Sequence, residues 1–206
     1  MDAGQVATLR EVLGGSEWLR ATRSFGGTLR SSVRAQGGGL LLVGTEAYEP
    51  WHLAAHLDDE AAWSGLPELS PTLVRHRVPP SAPAHLSVGM GRLEGAGTGE
   101  TLLVVTPEPA GPCPPLLERL ADARAAGATL LTLSAAERVP QLDDLVHESL
   151  AADDTLSLEM VQHLVSAAAG ETAAPRLPHA SARRLRLRDR LSRWADQLTA
   201  PPTPRW

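Results

Sequence analysis

The apolar positions of this chain alternate between short continuous runs and longer stretches with helical spacing. Residues 40–43 and 102–105 are uninterrupted apolar runs of strand length, 129–133 is a largely apolar run with Thr129 and Thr132, and 73–78 alternates apolar and polar side chains. These read as strands. Residues 3–13 and 18–35 carry helical spacing, with Ser16 placed to cap the second stretch and Leu19, Phe25, Leu29 and Val33 on one face, although Gly26-Gly27 interrupts it. Gly37-Gly38-Gly39 ends that helix, and Pro50 opens another that runs to about Trp63. Residues 84–93 and the amphipathic stretch after Pro115 read as helices, and 158–169 as a closing core helix. Residues 142–150 fit a short helix or an edge strand.

Helix and strand alternate throughout, which predicts an α/β fold: a doubly wound parallel sheet of four to five strands in a three-layer, flavodoxin-like sandwich. In such sheets ligands bind beyond the carboxyl ends of the strands. The unit from Thr101 to Leu133 is the clearest strand–loop–helix–strand segment, so the loop after its first strand, 106–111, is the place to expect chemistry. The expected organisation is an α/β domain over 1–172, including an N-terminal helical arm over 1–36. A linker and an amphipathic helix follow over 173–206, with Leu187, Leu191, Trp194 and Leu198 as its apolar stripe.

Charge sharpens this division. The 206-residue chain has a net charge of −5. From Ala173 onward eight arginines face two acids, a net +6, which leaves the rest near −11. An acidic body with a basic tail predicts docking of the tail on its own or a neighbouring subunit, or on a partner protein. It disfavours nucleic acid, because the body repels phosphates over a Debye length of ~10 Å. There is no lysine, so Schiff-base chemistry is excluded. A single cysteine, Cys113, excludes an internal disulfide and a cysteine metal cluster. No apolar run approaches the roughly 18 residues of a membrane span. Met1 is followed by no basic-then-apolar leader, so a cytoplasmic location is expected.

A family resemblance covers residues 36 to about 169. The Gly-Gly, first strand, glycine loop and long helix of GGGLLLVGTEAYEPWHLAAHLDDEA resemble the sugar isomerase (SIS) domain in its phosphoheptose isomerase form. ETLLVVTP followed by LLERLADARAAGATLLTLS, and LEMVQHLVSAAA, are similar to its third strand, alanine-rich helix, fourth strand and closing helix. The resemblance implies a homo-oligomer, a dimer or tetramer, that binds a carbohydrate derivative through Gly44, Thr45, Tyr48, Thr106, Glu108, Gly111 and Gln162. Neither a cofactor nor a metal is expected.

The chemistry at those positions departs from the family. Its Ser-x-Ser-Gly-x-Ser/Thr phosphate cradle is replaced by Thr106-Pro107-Glu108-Pro109-Ala110-Gly111-Pro112. Three prolines remove three amide donors, and Glu108 sets an anion where a phosphate would sit. Two unit charges ~4 Å apart at an effective dielectric of ~20 repel by about 4 kcal/mol, roughly a thousandfold in binding. The family's catalytic Glu falls at Asp58, and its catalytic His falls at Gly170 and is missing. The resulting expectation is a non-catalytic regulatory, ligand-sensing or scaffold module. The alternative is an isomerase with a rearranged site built on Asp58, His163 and Gln162. His52 and His56 stand four apart on one predicted helix, a spacing that zinc proteins use, but lack the general-base Glu of His-Glu-x-x-His. They are expected to be surface or partly buried histidines, with His163 a packing residue.

Overall fold

The computed structural model describes residues 17–36, 38–107, 111–135 and 139–171. The expected helix over 3–13, the Ser16 cap, Glu108 and the arginine-rich helix over 181–198 lie outside the described residues. Five strands form one parallel sheet: β1 (Leu40–Val43), β2 (Pro71–Val74), β3 (Thr101–Thr106), β4 (Thr129–Ser134) and β5 (Glu148–Ala151), in the order β2-β1-β3-β4-β5. The helices are α1 (Glu17–Gln36), α2 (Trp51–Ser64), α3 (Pro114–Ala125), a single turn α4 (Pro140–Asp143) and α5 (Leu158–Gly170).

Continuous apolar runs make strands here because both faces of the sheet are covered. Leu41, Val43, Leu102, Val104 and Leu130 pack on Leu116, Leu120 and Ala123 of α3. The alternate residues Leu40, Leu42, Leu103, Val105, Leu131 and Leu133 are equally buried and point to the other face. There α5 packs against both α1 and α2, and all three helices contact the sheet. The chain leaves β1 toward β2 on one side and returns through β3 toward β4 on the other. The crevice between the carboxyl ends of β1 and β3 is therefore the topological switch point.

Two departures from the expected elements have local causes. The strand expected over 73–78 runs instead from Pro71 to Val74. Arg75 then donates its amide to Val88 O at 2.9 Å and bridges to Gly89. That same bond draws 87–89 out of a helical ladder, so the helix expected over 84–93 becomes two 3₁₀ segments, Ala84–Leu86 and Met90–Gly95. Residues 142–150 hold both alternatives in succession, the end of α4 and then most of edge strand β5.

Gly26-Gly27 does not break α1. A Cβ on Gly26 would stand 2.7 Å from Ala168 Cβ and 2.9 Å from Ala169 N, so glycine lets α1 and α5 meet backbone to backbone. One turn on, Arg30 donates to the carbonyls of Ala169 (2.7 Å) and Ala168 (2.8 Å), placing a cation on the C-terminal carbonyls of α5. Ser157 caps the other end, accepting from Met160 N at 3.3 Å. The helix is thus pinned at both termini and buried along most of its surface.

Gly26→Val should destabilise the protein by about 2–3 kcal/mol through overpacking. Gly27→Ala, where a Cβ meets nothing within 4 Å, should stabilise it by up to ~1 kcal/mol through helix propensity. Urea unfolding of both variants checks the pair. Equal effects would mean that α1 and α5 are not in close contact.

Candidate functional site

A cavity of about 460 Å³ opens at the switch point, between the β1–α2 loop, the start of α2, Pro107 at the end of β3, and the first half of α5. The tight turn after β1 sets its floor. Gly44 is required there, because a Cβ would fall 1.9 Å from Tyr48 O. The turn closes through a Thr45–Tyr48 bridge and brings the Tyr48 hydroxyl to α5, where Gln162 Nε2 donates to it at 3.3 Å.

Three histidines form one wall. His52 and His56 lie one turn apart on α2, and His163 comes from α5. Their ring centroids are 4.7 Å (52–56), 4.8 Å (52–163) and 4.3 Å (56–163) apart. One ring nitrogen from each falls within 4.8 Å of the others. His163 is 2% exposed, His56 is half-buried, and the His52 side chain is 50% exposed. Burial, with the neighbouring His56 and His52, pushes the His163 imidazole down to about 4. Burial and His52 also lower that of His56, against the opposing pull of Asp59. Both rings are therefore neutral at pH 7, and their Nε2 atoms are buried without a hydrogen-bond partner. Glu159 stands at the rim, its carboxylate 3.7 Å from His52 Nδ1 and 3.9 Å from His163 Nε2.

The cations near the mouth are already engaged. Arg75 Nε and Nη2 bind the Glu49 carboxylate at 3.0–3.1 Å, and the guanidinium lies 4.8 Å from the Trp51 ring centroid. Arg77 pairs with Glu46 at 2.9 Å on the surface.

No family model matches this chain, and no curated protein does. Among solved structures, the sugar isomerase domain of an RpiR transcription factor from Sphaerobacter thermophilus superposes with a TM-score of 0.50. It is 14% identical, with 92% of this chain and 97% of that one covered. The fold is that of a sugar isomerase domain. A protein from Salmonella typhimurium LT2 described as a putative sugar binding protein aligns at 14% identity and a TM-score of 0.46, covering 93% of this chain and 54% of that one.

On the sugar isomerase fold the expected site residues scatter. Tyr48, Gln162 and His163 line the cavity. Gly44 and Thr45 shape the turn beneath Tyr48. Thr106, expected as the one retained cradle hydroxyl, is instead a fully buried strand residue whose Oγ1 has no partner, and it is not among the lining residues. Gly111 takes a left-handed φ of 71° and packs toward Val139 rather than the cavity. Asp58 does not reach the cavity: it points outward from α2 and hydrogen-bonds Ser70. Gly170 faces Glu60, whose carboxylate occupies the space a side chain there would need. The histidine trio and Trp51, Pro107 and Glu159 went unrecognised as a site in the sequence. The His52–His56 spacing was the single local signal.

Metal-free protein should lose stability as the pH falls from about 6.5 toward 4. The unfolded His163 binds its proton near 6.5 and the folded one only near 4, so between these values the unfolded chain holds more protons. The loss should reach about 2–3 kcal/mol and be absent above pH 7. Urea midpoints of wild type and His163→Gln at pH 7 and 4.5 would show it as a smaller pH-dependent loss in the variant; equal losses would acquit His163.

Proposed function

We propose that this chain is a non-catalytic, sugar isomerase-fold module that senses a small ligand in the switch-point cavity. The observation that carries this reading is the chemistry of the wall. Among the described residues, no arginine and no serine or threonine hydroxyl lines the cavity, while Glu49 and Glu159 do. A sugar phosphate dianion would meet carboxylates, Pro107 and neutral imidazoles instead of an amide and hydroxyl cradle. The wall suits a neutral polar ligand: Trp51 and Tyr48 offer apolar faces, and Gln162 with the histidines offers hydrogen bonds. The similar domain from S. thermophilus belongs to a transcription factor, a fold-level analogy in keeping with a regulatory role. In this reading the arginine-rich segment 173–206 binds a partner protein.

Calorimetry with unphosphorylated hexoses and N-acetylhexosamines, against their phosphates, tests the reading. The phosphates are expected to show no micromolar binding, and such binding would overturn it. The alternative, a rearranged isomerase, is favoured by the presence of Gln162 and His163 together in the cavity. The carboxylate expected as its base, Asp58, lies outside the cavity. Sugar phosphates in deuterated water should therefore show no exchange at C2, and exchange abolished by Asp58→Ala would establish the alternative.

Pairing of copies through helices belongs to the same proposal. Trp63 is an exposed apolar side chain on α2. Light scattering should report a dimer or tetramer that Trp63→Arg weakens; a monomer at all concentrations would remove this part.

A further inference from the structure

We infer that Glu49 is the specificity-determining residue of the switch-point cavity: its carboxylate occupies the Arg75 guanidinium and so turns away phosphorylated ligands while admitting uncharged ones. This rests on the reading above that the cavity takes a small ligand. Two acids of the β1–α2 loop face two arginines that follow β2. Glu46 pairs with Arg77, and Glu49 with Arg75. The pairs are not equivalent. The Arg77 and Glu46 side chains are 83% and 59% exposed, so water and salt screen them. Those of Arg75 and Glu49 are 15% and 22% exposed, and Arg75 Nε and Nη2 both bind the one carboxylate at 3.0–3.1 Å. Glu49 lines the cavity, and so does Trp51, whose ring the guanidinium overlies.

A guanidinium in this position is the group a cavity would use to hold a phosphate. Arg75 is also fixed by contacts other than Glu49. Its amide donates to Val88 O at 2.9 Å, its Nη1 lies 3.5 Å from Leu86 O, and its guanidinium carbon is 4.8 Å from the Trp51 ring centroid. Neutralising Glu49 therefore leaves a positioned cation at the cavity wall without its counter-ion. A partly buried charge that has lost its partner is costly, and an anion taken from solution relieves that cost. In the native chain Glu49 is a tethered anion that a free phosphate must displace. Glu159 adds negative charge to the same cavity. Among the described residues its ion-pair neighbours are His52 and His163, so neutralising it releases no arginine.

Inorganic phosphate, titrated calorimetrically into the full-length protein at constant ionic strength, tests the assignment without any sugar. Wild type is expected to show no binding below ~10 mM, and Glu49→Gln to bind at least ~10-fold more tightly. Phosphate should also raise the melting temperature of Glu49→Gln more than that of wild type. Glu46→Gln, which releases the exposed Arg77, should gain nothing. Glu49→Gln/Arg75→Gln removes both charges, which protects folding, and should lose the gain. Should the unpaired Arg75 unfold Glu49→Gln, phosphate is expected to restore the fold. Micromolar phosphate binding to wild type would sink the cavity reading and this assignment together. A Glu49→Gln protein that neither gains phosphate binding nor is refolded by phosphate would overturn the assignment alone. So would an equal gain in Glu46→Gln, in Glu159→Gln or in the double variant.

Discussion

The contact on which the rest of this structure depends is the close approach of α1 to α5. Glycine at position 26 removes the only atom that would hold the two backbones apart, and Arg30 then fastens the end of α5 through its last carbonyls. With its N-terminus capped by Ser157, α5 has little freedom to rotate. Its rotation decides which residues face α2. As built, Gln162 reaches Tyr48 and His163 reaches His52 and His56, so the histidine wall follows from packing on α1 more than 20 residues before His52 in sequence.

The cavity sits where an open parallel sheet is expected to bind ligands, yet its chemistry is not that of an anion site. The two arginines near its mouth are paired with Glu49 and Glu46, and Arg75 is also laid over Trp51. The polar capacity left in the wall is imidazole, amide, phenol and the Glu159 carboxylate. Burial keeps His56 and His163 uncharged at neutral pH, so the wall offers lone pairs rather than positive charge. This favours ligands that accept or share lone pairs over ligands that carry negative charge.

The elements of the sheet were legible because apolar runs of four to six residues, buried on both faces, have few other ways to fold. Errors fell where long-range bonds competed with local propensity. Residues 84–93 have helical spacing, but Val88 is claimed by Arg75 from the end of β2. Gly26-Gly27 looked like a weakness in a helix and is the point where another helix touches it. Of the residues assigned by the resemblance, Tyr48 and Gln162 line one cavity. The resemblance also placed Asp58 and Thr106 by alignment alone, and rotation about α2 and the inward pleat of β3 carry both away.

The sequence by itself determined the α/β alternation, the switch-point location and the poverty of anion-binding groups, because these depend on residue type and order along the chain. It held only half of the histidine site: His52 and His56 are linked by one helical turn, a local relation. His163 lies more than 100 residues further on. Only the tertiary structure decided that it joins them, because that depends on the register of two helices set by a third.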